Sequence, residues 1–243
     1  MEAKDIIYFD EPGPANTDDL LQIAKSRVQA LGIKNVVIAS QAGVTVKKFL
    51  ELSKGMPLDI VAVTNPKGPG LNITVLYDKY EESKKIKEDY RTRGITHFQC
   101  SISDEDRMEF EKAGVRVIEQ KDYLSIGDPW GLHDEEQLSE RDLAWKANRA
   151  KLRPFIPSHI RPLDIEAGAD LSLLNIISKG FRVLVGATVV AVNYGSVPEG
   201  ETVLAMAGTG FAGGGADTAA ILRAGGKAKS CLVREILGFP RLK

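Results

Sequence analysis

The sequence predicts a layered α/β domain, and three observations lead there. Two short apolar runs rich in β-branched residues, Asn35–Ala39 and Leu58–Val63, have the composition of strands buried on both faces. Segments with apolar residues at helical spacing precede and separate them, which is the alternation expected of helices layered on a sheet. The 243 residues are 43% apolar and 27% charged, an ordinary globular balance that can bury a core without disulfides. No clean linker interrupts the chain, so residues 1–243 read as one domain.

Taken in order, Asn16 and Thr17 are good helix caps and Asp18 and Asp19 suit a first turn, where the helix dipole favours anions. Leu20, Ala24, Val28 and Leu31 recur on one helical face, and Gly32 ends the helix. Ser40–Gly43 is the turn out of the first strand. Val46, Phe49, Leu50 and Leu52 mark a second helix before the strand at Leu58–Val63. Thr64–Gly70 is a loop, Lys79–Arg93 a solvated helix, and His97–Ile102 a strand. Asp104–Ala113 is a helix stopped by Gly114, and Val115–Ile118 a further strand. Residues 127–162, with Pro154, Pro157 and Pro162, read as a less regular excursion. Ile165–Ser178 is expected to be a helix ended by Gly180. The valines of Phe181–Tyr194 suit a strand, but the length of the segment and the stop at Gly195 decide for a buried helix. Thr202–Ala207, Ala219–Leu222 and Cys231–Ile236 are strands, the last two paired around Gly225-Gly226.

Composition removes several function classes. A formal net charge of −1 gives no overall attraction to nucleic acid or an anionic membrane. No run approaches about 18 apolar residues, so no membrane span is expected. The start, Met-Glu-Ala-Lys-Asp, lacks the pattern of a signal peptide, and Cys100 and Cys231 form no framework, so a cytoplasmic location is expected. His97, His133 and His159 show no metal-ligand spacing, and no metal is expected. Cys100 beside Ser101 has no base placed by sequence to make it a nucleophile. Trp130 and Trp145 could stack on a ring, though packing explains them as well.

In an open α/β sheet, ligands settle beyond the carboxyl ends of the strands. Three loops should reach that edge. Ser40, Ala42, Gly43 and Thr45 lie where a strand gives way to a helix, whose first N–H groups suit a phosphate. The hydroxyls of Ser40 and Thr45 add donors, or simply cap that helix. Thr64 and Lys67 sit on the second loop, and Lys67 reads as a solvated side chain. The third loop is glycine-rich. Gly208, Thr209, Gly210, Gly214 and Gly215 let the backbone approach a ligand, and Thr218 can donate to oxygen. Asp217, an anion, suits a sugar or ribityl hydroxyl rather than a phosphate. The loop is neither a dinucleotide fingerprint nor a P-loop. A plain connector between strands is the competing reading.

Two stretches carry a family resemblance. One runs from Pro12-Gly13-Pro14-Ala15-Asn16-Thr17 through Ser40-Gln41-Ala42-Gly43-Val44-Thr45. The other comprises Ala207-Gly208-Thr209-Gly210, Gly215-Ala216-Asp217-Thr218-Ala219, Arg234-Glu235-Ile236-Leu237 and Pro240. Together they resemble a family of small standalone proteins that share the fold of the pyruvate kinase carboxy-terminal domain. The likeness covers roughly the first 65 and last 80 residues. Residues 66–160 depart from the pattern, and Phe211–Gly214 lengthens the glycine loop.

The resemblance implies a three-layer α/β/α domain with a mostly parallel mixed sheet. It also implies a bound phosphorylated small molecule, with flavin mononucleotide (FMN) the preferred cofactor. The alternative it offers is a regulatory or assembly module that senses a sugar phosphate or nucleotide. Pyruvate kinase activity is not expected, because the chain has no room for a catalytic barrel of about 250 residues. The apolar segment Phe181–Val192 is either core or the interface of a homo-oligomer.

Overall fold

The computed structural model describes residues 5–65, 67, 71–76, 81–119, 174–209 and 214–241. Its centre is a seven-stranded mixed sheet in the order β1-β9-β8-β7-β2-β3-β6. The strands are β1 (Ile7–Phe9), β2 (Asn35–Ala39), β3 (Asp59–Thr64), β6 (Arg116–Glu119), β7 (Thr202–Ala207), β8 (Thr218–Arg223) and β9 (Leu232–Pro240). Within this sheet β8 alone runs against its neighbours, and all other pairings are parallel. The helices are α1 (Thr17–Leu31), α2 (Val44–Leu52), α3 (Glu81–Thr92), α4 (Asp104–Lys112) and α5 (Lys179–Asn193).

Alternation along the strands builds a core on each face. Val36 and Ile38 of β2, Ile60 and Ala62 of β3, and Leu204 and Met206 of β7 face one way. They meet Leu20, Ala24 and Val28 of α1, Val46 and Phe49 of α2, and Phe110 of α4. Val37, Val61, Val63, Val203 and Ala205 face the other way and meet Phe181, Leu184, Val185 and Val189 of α5. Each fully buried side chain of this size contributes about 1.5–3 kcal/mol. With apolar residues along their centres, these strands have both faces occupied, as their composition predicts.

Boundaries agree closely for β2, β7, α1 and α2. Gly32 closes α1 in the left-handed conformation at φ 63°. The valine-rich segment is helical, as its length and the Gly195 stop require. β8 and β9 do pair across Gly225-Gly226.

Two expectations are corrected. The helix expected at Ile165–Ser178 is, over its described part, a short 3₁₀ turn at Leu174–Ile176. Gly180 does not end a helix but lies in the first turn of α5, because Ser178 accepts a hydrogen bond from the Phe181 N–H and starts a new one. The strand expected at His97–Ile102 is only β5 (His97–Phe98). It pairs antiparallel with β4 (Leu71–Asn72) in a separate two-stranded ribbon. The Asn65 side-chain amide donates to the Cys100 carbonyl at 2.9 Å, so backbone beyond Phe98 is claimed by a loop contact. The excursion at 127–162, Gly210, Phe211–Gly213, Trp130, Trp145, His133 and His159 lie outside the described residues. No described helix is long and apolar enough to cross a membrane.

Candidate functional site

The carboxyl ends of β2, β3 and β7 meet at one edge. Ser40 leaves β2 with its N–H still bonded to Val63 O (2.9 Å), and its hydroxyl accepts from the Gly43 N–H (3.1 Å). That bond closes the turn and puts Gly43 at φ 80°, a conformation suited to glycine. The Phe110 ring packs under Gly43, 3.0 Å from where a β-carbon would stand. α2 starts at once. Lys47 is the first residue of the helix to bond back, to Gly43 O at 3.0 Å, so the N–H groups of Val44, Thr45 and Val46 precede the ladder. The first turn of α2 carries no acid, unlike that of α1, which holds Asp18 and Asp19. The partial positive charge of the α2 terminus therefore faces no carboxylate from its own first turn, but Asp106 of α4 stands 3.8 Å from where a Gly43 β-carbon would be and pairs with Lys47.

Thr45 is 1% exposed, and its hydroxyl has no hydrogen-bond partner among the described residues. Thr64 ends β3 beside the same turn. Its hydroxyl donates to Gln41 O (3.2 Å) and accepts from the Ile102 N–H (3.0 Å). Ala42 is half-buried in the turn. Lys67 is exposed and paired with Asp104, as a solvated lysine would be.

The two ends of the glycine-rich loop touch each other. A β-carbon on Gly208 would overlap the carbonyl oxygen of Gly215, so this crossing requires glycine. Gly214 and Gly215 both have positive φ, at 79° and 111°. Gly214 lies over the start of α2, where its β-carbon would stand 3.4 Å from the Val44 side chain. Gly215 lies over the start of α1, 2.8 Å by the same measure from Pro14 and from the Thr17 hydroxyl. Thr17 Oγ1 accepts the Ala216 N–H at 3.0 Å. Two of the three loops thus converge on the α2 amino terminus.

Asp217 is completely buried. Its Oδ2 accepts from the Gly13 N–H (3.1 Å), the Thr209 N–H (3.3 Å) and the Thr209 hydroxyl, and its Oδ1 from the Thr218 hydroxyl (2.9 Å). Burial pushes its pKa up, opposed by these bonds. The carboxylate is occupied by the protein itself. Thr218 is equally interior, and Thr209 is 7% exposed. The half-buried positions are Gln41, Ala42, Val44, Gly208, Gly214 and Gly215. What this edge presents outward is mostly backbone, and its polar side chains brace it from within.

Sequence reasoning missed Gly13, Thr17, Phe110 and Gly180, which shape the same edge. Gly13 has φ 146°, and a β-carbon on Gly180 would overlap the Thr218 hydroxyl. Positive φ is foreshadowed only by the Pro-Gly-Pro at 12–14, and nothing local marks the other contacts. Cys100 is buried, and burial raises its thiol pKa away from the reactive thiolate. A crevice of about 320 Å³ lies at the opposite edge, among Leu50, Met56, Leu58, Glu109 and Val115. There α2 and α4 present their carboxyl ends, which disfavour an anion. No protein-family model matches the chain.

Proposed function

We propose that the chain binds a phosphorylated small molecule at the carboxyl edge of its sheet. The phosphate rests on the N–H groups that open α2, beside Gly214 and Gly215. The observation that supports this most is the approach of Gly214 to Val44, which brings a glycine pair with positive φ against a helix terminus whose own first turn holds no acid and whose neighbouring carboxylate, Asp106, is paired with Lys47. Backbone N–H groups so placed favour an anion with several acceptor oxygens. The hydroxyl of Thr45, one residue further in, is a buried donor with no acceptor among the described residues.

FMN is the ligand placed first, on the resemblance of residues 12–45 and 207–240 to standalone pyruvate kinase carboxy-terminal-like proteins. The residues present suit its phosphate end. Among the described residues of this edge the aromatic ring is that of Phe110, buried under Gly43, and that observation favours a second reading: a module that senses a sugar phosphate or nucleotide through the phosphate alone. Titration with FMN, riboflavin and a panel of sugar phosphates separates the two. The first reading expects FMN to bind well above riboflavin, which lacks the phosphate. Stabilisation by sugar phosphates but not FMN supports the second. A protein that none of them stabilises is not a phosphate binder.

A further inference from the structure

Asp217 draws together parts of the chain that are far apart in sequence. The Gly13 N–H, in the turn between β1 and α1, and the Thr209 N–H and hydroxyl, at the entrance of the glycine-rich loop, all end on the same oxygen, Oδ2. The other oxygen, Oδ1, takes the Thr218 hydroxyl and lies 3.0 Å from where a Gly180 β-carbon would stand, in the first turn of α5. The Asp217 N–H itself bonds to Ala207 O at 3.0 Å, which holds the carboxylate at the base of the loop. Its bonding partners are backbone N–H groups and threonine hydroxyls, with no cation among them. A charge pair would tolerate sliding. Directed bonds converging on one buried atom do not.

We infer that Asp217 is a positioning residue, through which the glycine-rich loop and the β1–α1 turn move as one unit, so that occupancy of the phosphate site is felt at Gly13. This rests on the binding reading above. Gly215 adds a second link, because it lies against Pro14 of the same turn. A ligand that draws Gly214 and Gly215 toward α2 displaces Gly208, which lies against the Gly215 carbonyl, and with it Thr209, and Oδ2 passes that displacement to Gly13. Linkage makes the effect reciprocal: a change that loosens the β1–α1 turn weakens the ligand.

The test uses the full chain and FMN as the probe, with amide hydrogen exchange read at Gly13, Thr209 and Val44. In the parent, FMN is expected to slow exchange at all three. In Asp217→Ala, FMN is expected to bind about tenfold more weakly or worse, still to slow Val44, and no longer to slow Gly13. Asp217→Asn keeps one acceptor oxygen in place and is expected to restore part of the affinity and of the Gly13 response. It also serves as the informative variant if the alanine does not fold. A Gly13 response to FMN that persists in either variant at the parent's size overturns the inference, as does parent affinity in Asp217→Ala. If the parent binds no FMN, the FMN reading fails separately, and the coupling is read without ligand. Gly214→Ala is then expected to change Gly13 exchange in the parent background and clearly less in the Asp217→Asn background. An equal change in both, or none in the parent, overturns it.

Discussion

Gly180 sits against Thr218 so closely that no β-carbon fits between them. The hypothetical atom would overlap the Thr218 hydroxyl and stand 2.8 Å from its β-carbon, and Thr218 is fully buried and cannot retreat. α5 packs on the sheet at this spacing because residue 180 is glycine. Gly180→Ala is expected to destabilise the fold by about 1–3 kcal/mol, the usual cost of overpacking. Urea unfolding measures it, and a midpoint equal to the parent's would show that α5 can shift without cost.

Gly43 and Gly214 share positive φ but differ in what a methyl group would meet. At Gly43 it would press on the Phe110 ring at 3.0 Å, and at Gly214 it would make an ordinary contact with Val44 at 3.4 Å. Both alanine variants carry a left-handed backbone cost of about 1–2 kcal/mol. Gly43→Ala is expected to lose clearly more stability than Gly214→Ala. In binding, Gly214→Ala is expected to lose about tenfold to hundredfold in affinity for FMN, the worth of one displaced charge-assisted contact. Paired urea and FMN titrations check both, and parent affinity in Gly214→Ala would make the loop a connector.

Thr45 buries a hydroxyl that no described residue satisfies. Thr45→Val removes that group at nearly constant shape. The ligand-free variant is expected to gain up to about 1 kcal/mol, since the desolvation cost disappears. FMN affinity is expected to fall by about tenfold if the ligand uses the hydroxyl. A variant that loses stability instead would mean that Thr45 has a partner in solution.

The pH dependence of stability should carry the mark of Asp217. Burial raises its folded pKa, so the folded protein holds that proton to higher pH than the unfolded chain does. The contribution of the neutral acid is complete below the unfolded value, about 3.9, and is lost as pH rises through the raised folded value. Asp217→Asn cannot ionise. Its urea midpoint is expected to stay flatter across that window and to exceed the parent's increasingly toward the upper end. Parallel curves would show that the donors from Gly13, Thr209 and Thr218 fully offset the burial.

Much of the frame is legible locally. Asn35–Ala39 announces a buried strand because Val36, Val37 and Ile38 in succession must meet an apolar layer on both faces, and Gly32 marks a helix end because its left-handed turn excludes most side chains. The valines of Phe181–Tyr194 are ambiguous until length and the Gly195 stop are weighed. Ile7–Phe9 is illegible, since three residues carry no period and become a strand only by pairing with Gly238–Pro240. The edge that gathers Ser40, Thr64, Gly208 and Gly214 follows from strand order, as loops after parallel strands must. The role of Asp217 does not. Its type suggests a hydroxyl-binding anion, and only the three-dimensional structure shows that Gly13 and Thr209 already fill it.

The pairing of β1 with β9 also sets a schedule. During vectorial synthesis β1 is made long before β9, its hydrogen-bonded neighbour among the described strands of the sheet. Closing a contact across nearly the whole chain is entropically demanding and raises the contact order. Ile7 and Tyr8, exposed even in the finished sheet, can wait in water at little cost. The β7–β8–β9 meander, whose partners are adjacent in sequence, can form as a unit and receive β1 as the closing event.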